Sequence, residues 1–384
     1  MGMIRLWTVA IVVCLQGAAR ADLPAAEDLQ QTWIFDVQDS GDQEAESDGI
    51  PFWLGPVESV SKLSGQISLV GHLSPSDRQR CNCVRSCCQC KSHWLVSVDY
   101  LNWTARRSGW DLAVRDADTD NNIEGPIESL EFDNSSGFRS SISYLLGTGW
   151  DVGFSYTFYE TDQQRNLAAG DGGQLWLTRA NPGSFNNSAN EVFAEADIDL
   201  DLFDLEAGYW LQPCRNLRLR GFGGVRLASL NQSFQASYRG GTVTSSGRQY
   251  RQQTDLNASG LRAGSEANWQ LPNGLVFSGL LASSVLVGDF ESGYAESEPD
   301  FTSAGNVQLT DDYVDMLPVL DVRLGVAKRW GRLTLETGYE ASVWFSADRR
   351  YGFSGAETIN RGAMTNVPHD LGFDGFYLRM MLLR

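Results

Sequence analysis

Beyond Leu15 the sequence has no apolar run long enough to cross a bilayer as a helix, which takes about 20 consecutive apolar residues. A helical membrane protein is thereby excluded. Basic residues are scarce: 30 Lys and Arg stand against 48 Asp and Glu, a net charge of −18. Without a basic footprint the chain is no nucleic-acid binder. Histidine occurs only at His72, His93 and His369, too few and too scattered for an imidazole metal cluster. There is no nucleophile elbow, phosphate loop or zinc-protease motif. We therefore expect no enzyme and no cofactor.

What is present begins with residues 1–21. Arg5 supplies a short basic region, Leu6 to Leu15 an apolar core, and Ala19-Arg20-Ala21 a small-x-small cleavage site before Asp22. This reads as a cleaved secretory signal peptide. A lipid anchor at Cys14 is the weaker alternative, because Val13 stands where a small residue is needed. Cleavage leaves 28 basic residues against 48 acidic ones, a net charge of −20. Residues 22–93 form a separate periplasmic extension. Its stretch 36–50 is acidic and rich in Ser and Gly, like a flexible linker.

From Trp94 to Arg384 a period-2 alternation recurs in about ten stretches: 94–115, 127–147, 149–161, 191–211, 215–238, 251–271, 274–297, 312–330, 332–348 and 370–384. The connectors alternate between short and long. Gly147-Thr148-Gly149, Pro213 to Asn216, Pro272-Asn273-Gly274 and the turn at Gly331 carry tight-turn residues. The segments near 116–126, 162–190, 239–250, 298–311 and 349–369 are long and polar. Short turns at one end and long loops at the other are the layout of outer-membrane barrels.

Successive side chains on a strand point to opposite faces, and here one face is apolar and the other charged. Leu217, Leu219, Val225 and Leu227 oppose Arg218, Arg220 and Arg226. Leu320, Val322 and Leu324 oppose Asp321 and Arg323. Leu333, Leu335 and Tyr339 oppose Glu336 and Glu340. Leu261 and Ala263 oppose Arg262 and Glu266. A soluble barrel would turn the apolar face inward; a membrane barrel turns it to lipid. The long strands, the turn asymmetry and the flanking aromatics Trp94, Tyr100, Trp103, Trp150, Tyr209, Trp210, Trp269, Trp330 and Trp344 favour lipid. The expected fold is all-β: a transmembrane antiparallel up-and-down β-barrel of about ten strands over 94–384, with an N-terminal periplasmic Cys-rich extension.

In 192–211 the apolar parity changes between Leu202 and Phe203. A β-bulge there would restore one apolar face by inserting an unpaired residue. Asp197, Asp199, Asp201, Asp204 and Glu206 would then all face the lumen, beside the arginines of the next strand. Salt bridging between these strands is favoured slightly over a transverse field lining a pore.

Asp99-Tyr100-Leu101-Asn102-Trp103, Gly149 to Phe154 (GWDVGF), Leu202 to Gly208 (LFDLEAG), Leu217 to Arg226 (LRLRGFGGVR) and Leu371 to Arg379 (LGFDGFYLR) together resemble the pore-forming outer-membrane proteins related to the Legionella major outer membrane protein, in particular their planctomycete-type branch. The resemblance covers residues 94–384 and implies a pore-forming outer-membrane barrel. It supplies no catalytic residues. The chain departs from many outer-membrane barrels in ending Met380 to Arg384, without the terminal aromatic that helps the assembly machinery recognise the last strand.

Cys81, Cys83, Cys87, Cys88 and Cys90 cluster before the barrel, and Cys214 sits in a short turn on the same side. An even number of cysteines in an oxidising compartment favours disulfides, and the spacing fits no common zinc pattern. Asp116 to Asn122 matches a calcium loop only in part, since Asn121 replaces the glycine; a solvated acidic loop is preferred. His369 beside Asp370 is weak support for a hydrolase at the barrel rim, because neighbours on a strand point apart.

The leading functional expectation is a porin-like protein for passive diffusion of ions or small hydrophilic solutes, with weak cation preference. The runner-up is a structural or surface-interaction barrel with a plugged lumen, since barrels near eight strands fill with side chains. Outer-membrane lipid and the barrel-assembly machinery are the expected partners, and a homo-oligomer remains open.

Overall fold

The computed structural model describes residues 93–118, 122–178, 188–243, 247–297, 307–353 and 364–384. The expected signal peptide, the acidic linker and Cys81 to Cys90 lie outside the described residues. Among those described there are fourteen strands, numbered in chain order. Ten close into an antiparallel barrel: β1 (His93–Arg107), β4 (Asn134–Leu145), β5 (Trp150–Ala168), β8 (Glu191–Cys214), β9 (Leu217–Arg239), β10 (Arg248–Gln270), β11 (Leu275–Ser297), β12 (Val307–Trp330), β13 (Leu333–Phe353) and β14 (Met364–Leu383). The others, β2 (Asp111–Asp116), β3 (Ile127–Ser129), β6 (Gln174–Leu177) and β7 (Ser188–Ala189), form a second sheet in the order β3-β2-β6-β7.

Closure joins the two ends of the alternating region. Strand β1 pairs with β14 from Leu95↔Leu383 to Arg107↔Leu371. Trp94 and Arg384 exchange backbone hydrogen bonds of 3.0 and 2.9 Å. The short turns lie at this end. They hold Gly149, Gly274 and Gly331 at φ of 90°, 70° and 62°, a left-handed conformation that costs glycine nothing.

Two expected strands are interrupted. The stretch 94–115 breaks at Gly109 (φ 89°), where a Cβ would lie 2.7 Å from the His369 ring. The chain turns there, and β2 leaves the wall. Stretch 127–147 likewise divides into β3 and β4.

Of the remaining strands, β9 and β11 match the expected stretches and the others run longer. From β8 to β12 each has 23 or 24 residues, about twice the 9–11 that a tilted strand needs to cross a bilayer. Their outer face divides accordingly. Near the short turns it is apolar: Phe203 pairs with Leu227, Leu261 with Val225 and Val285, and Val287 with Met316. Toward the long loops the same face becomes polar: Glu160 pairs with Asp199, Asp199 with Asn231, Asn231 with Asp255, Asp255 with Glu291, and Glu291 with Asp312. The inner face changes in the opposite sense. Inward residues are charged behind the apolar belt and mostly apolar beyond it, where Ile198, Leu200, Leu230, Leu256, Leu286 and Leu317 are buried; the buried Arg248–Glu296 and Arg107–Asp348 pairs are the charged exceptions there.

This reversal corrects the bulge expected at Leu202-Phe203. Strand β8 pairs without a register shift from Glu191 to Leu211, and its one irregularity falls between Leu211 and Cys214. The parity change needs no inserted residue. It marks where the outer face changes from apolar to polar and the inner face from charged to mostly apolar.

Candidate functional site

Behind the apolar belt, inward positions on nine strands bring acids and arginines into one lumen. Asp321 on β12 is the hub of the first cluster. It accepts hydrogen bonds from Arg226 on β9 (2.9 Å), from Ser342 on β13 (2.6 Å) and from Arg262 on β10. Two strands separate β9 from β12 in the wall, so the Arg226–Asp321 pair is a chord across the lumen. Arg226 also grips Asp204 with two nitrogens, at 2.6 and 2.9 Å. Arg262 reaches Glu206 at 3.0 Å, and Arg220 joins Glu206 (3.2 Å) to Asp151 (2.6 Å).

A second cluster stands on the other side. Arg379 binds Asp99 through two nitrogens at 2.8 and 2.7 Å. Arg139 on β4 reaches Glu340 on β13 at 3.0 Å, and Arg323 reaches the same carboxylate at 2.7 Å. The Trp103 indole N–H donates to Glu340 at 3.1 Å. Glu336 accepts the hydroxyls of Tyr377 and Ser278, each at 2.6 Å. Such sharing offsets the desolvation cost that buried charge carries. Glycine makes room for it: a Cβ on Gly208 would lie 2.6 Å from the Arg220 Nε.

Most of these side chains line a cavity of about 380 Å³, bounded toward the short turns by Arg218, Arg329 and Arg332. Toward the long loops its ceiling is apolar. Trp103, Tyr159 and Phe373 pack with ring centroids 5.4 to 6.0 Å apart, beside Leu200 and Leu202. Above this layer the second sheet fills the barrel. Trp110 stacks on Phe234 at 5.4 Å, Arg107 sits 3.8 Å over its ring, and the Tyr238 hydroxyl donates to the Leu112 carbonyl at 2.8 Å. Leu112 and Leu175 are fully buried there.

The sequence-predicted lumen set divides. Asp204, Glu206, Arg220, Arg226, Arg262, Asp321, Arg323, Glu336 and Glu340 meet in these clusters. Glu266 lines the cavity and accepts the Asn268 amide at 2.8 Å. Arg218 stands at the mouth, stacked 4.7 Å over Trp210. Asp197, Asp199 and Asp201 do not belong. They alternate with the buried Ala196, Ile198, Leu200 and Leu202 and so lie on the outer face. Without a bulge, parity carries them into water and away from the arginines. There Asp199 stands directly opposite Glu160. Partial burial first, then Glu160, Asp197 and Asp201, hold its carboxyl above the ordinary carboxylate range.

Two expected girdle aromatics, Trp103 and Trp344, are instead buried inward at 3 % and 0 % exposure, and Trp210 lines the cavity. Sequence reasoning missed Asp99, Arg139 and Arg379 as lumen groups. A signal was there: Arg139 alternates with Phe138, and Arg379 with Leu378 and Met380. Asp116 is no solvated loop residue. It accepts the Trp176 indole N–H at 2.8 Å inside the second sheet. His369 Nδ1 lies 3.2 Å from the Ser108 hydroxyl. Cys214 is exposed at the end of β8, and its candidate partners lie outside the described residues. Among the described residues no group of three or more His, Cys, Asp or Glu is placed to hold a metal.

No curated protein sequence matches the chain. Solved structures similar to it include the outer-membrane protease OmpT of Escherichia coli (11 % identity, 76 % of this chain and 97 % of that one, TM-score 0.42). A major outer membrane protein of Thermus thermophilus is similar at 12 % identity over 76 % of this chain and 99 % of that one, with a TM-score of 0.28. The translocator domain of the autotransporter NalP of Neisseria meningitidis is similar at 11 % identity over 80 % and 94 %, with a TM-score of 0.33. The decisive match is to a family model described as Legionella pneumophila major outer membrane protein precursor, which spans residues 86–383. This all-β chain, closed into a ten-stranded ring, belongs to that outer-membrane protein family.

Proposed function

We propose that the protein is a pore-forming, porin-like outer-membrane protein for ions and small hydrophilic solutes, of a narrow, low-conductance kind. The observation that carries this reading is the lumen behind the lipid belt: a cavity of about 380 Å³ into which many charged and hydroxyl side chains project among apolar ones. A barrel serving only as an anchor has no need of so many buried charges, each of which is costly unless paired. The short-turn end is periplasmic, the chain arrives through a cleaved signal peptide, and the barrel-assembly machinery and outer-membrane lipid are its partners. We read no enzymatic role into the rim. The weak cation preference expected from an acidic wall loses its main support, because three of that wall's five acids lie on the outer face.

A second reading rests on the apolar ceiling. Trp103, Tyr159 and Phe373, with the second sheet above them, close the lumen toward the long loops. That favours a plugged barrel with a structural or surface role. Planar-bilayer conductance of the purified protein separates the two. Small steps in the intact protein, enlarged in Trp110→Ala, support a pore closed by the second sheet. Silence in both variants, with folding confirmed by heat-modifiable gel mobility, supports the plugged barrel.

A further inference from the structure

The lumen acids are all engaged. Asp99, Asp151, Asp204, Glu206, Asp321 and Glu340 are in ion pairs, Glu336 is held by two hydroxyls, and Glu266 by the Asn268 amide. The arginines are not. At the short-turn mouth Arg218, Arg329 and Arg332 line the same cavity, and none forms an ion pair among the described residues. Arg218 is supported from beneath by the Trp210 ring. Arg329 spends one N–H, its Nε, on the Gly331 carbonyl at 3.0 Å. Each guanidinium has five donors and no acceptor, so most of this donor capacity is unspent. Arg218 comes from β9 and the other two from β12 and the β12–β13 turn, so they approach the mouth from two sides of the ring. In a chain with a net charge of −18, three arginines at one mouth with no ion pair among the described residues are a local exception.

We propose that this mouth is a binding site for small soluble anions bearing phosphate or carboxylate groups, with Arg218, Arg329 and Arg332 as its ligating residues. Guanidinium forks match the planar or tetrahedral oxygens of such groups and bind them bidentately. The cavity behind the mouth receives the remainder of the solute. Phosphate could also be offered by a lipid headgroup, but these three residues face the cavity, whereas the outward positions beside them are Leu217, Trp330 and Lys328, whose ammonium is bonded to the Asn273 carbonyl. The site faces the periplasm if the barrel is oriented as proposed above, and it does not require the lumen to conduct.

The test is calorimetric titration of tripolyphosphate into the full-length protein at low salt, in nanodiscs of phosphatidylcholine alone and of phosphatidylcholine with phosphatidylglycerol. The Arg218→Gln/Arg329→Gln/Arg332→Gln variant should bind about tenfold more weakly than the parent, since exposed charge contacts are each modest. Arg251→Gln, on the outer face beyond the belt, should leave binding unchanged, and raised salt should abolish it by screening. Equal affinity in parent and triple variant, with gel mobility showing both folded, overturns the site. Binding that persists in phosphatidylcholine but disappears with phosphatidylglycerol gives the mouth to a headgroup and overturns the soluble-anion assignment. Because no conductance is measured, a silent bilayer would defeat the pore reading and leave this one standing.

Discussion

Along β8 one parity carries Glu206 and Asp204 in the half of the barrel near the short turns, and Leu202, Leu200 and Ile198 in the half near the long loops. The other parity does the reverse, with Leu205 and Phe203 giving way to Asp201, Asp199 and Asp197. The two halves share one wall and one register, yet they are built on opposite rules. In the first, the outside is lipid, so apolar side chains face out and polar backbone and side-chain groups are satisfied within the ring. In the second, the outside is water, so the barrel buries its apolar side chains as a soluble protein does. A single strand thus records the level at which its surroundings change.

The halves should fail differently. In the lipid-embedded half the integrity of the lumen rests on shared charge, and Asp321 serves two arginines and a serine. Removing one partner of a buried ion pair leaves an uncompensated charge, at a cost of about 3–5 kcal/mol. Asp321→Ala should therefore lower the urea midpoint of the refolded barrel, and by more than truncation of the singly bonded Glu266. A variant as stable as the parent would show that water, and not the network, supports Arg226 and Arg262.

The position of the boundary is open to direct attack. Leu205→Arg places a charge on the lipid face and should cost about 2–4 kcal/mol if its position is near mid-bilayer. Asn231→Arg, on the outer face of neighbouring β9 beyond the belt, should stay within about 0.5 kcal/mol, as surface substitutions do. Comparable costs at the two positions would mean that the apolar belt extends further than the side-chain pattern indicates, and that the second half is not in water.

Strand number, connector asymmetry and closure between Trp94 and Arg384 were legible because alternation and turn residues are local signals. The inward set near the short turns was legible too, because Arg226 sits between Val225 and Leu227, Glu340 between Tyr339 and Ala341, and Arg220 and Glu336 each follow a leucine. What failed was the assumption that one face keeps one character along a whole strand. In β8 the reversal at Leu202-Phe203 carries the same alternation as a bulge would, and sequence alone does not separate a shift of register from a change of solvent. The second sheet was invisible for a different reason. Its strands β2, β3, β6 and β7 have between two and six residues and gain their stability from the barrel interior they fill, so they carry little periodicity of their own.

The mildest contrast is between two aspartates of β8 five residues apart. Asp204 is inward and doubly bonded to Arg226, whereas Asp199 is outward, opposite Glu160 and flanked by Asp197 and Asp201. Like charges directly opposite on a sheet are unfavourable by roughly 0.2–1 kcal/mol. Burial and these neighbours raise the Asp199 carboxyl above its ordinary range. Between the unfolded and the raised folded pKa the native state holds more protons than the unfolded one. Stability on this account falls as pH rises through that window, and above it the repulsion is felt in full. Asp199→Asn should thus be neutral to stabilising at pH 7, with the gain shrinking as pH falls toward 4 and as salt screens the cluster. Asp204→Asn should do the opposite and destabilise at pH 7. Urea midpoints of the two variants across pH and ionic strength are the measurement. A loss of stability in Asp199→Asn at neutral pH would place Asp199 in a favourable contact and return it to the interior.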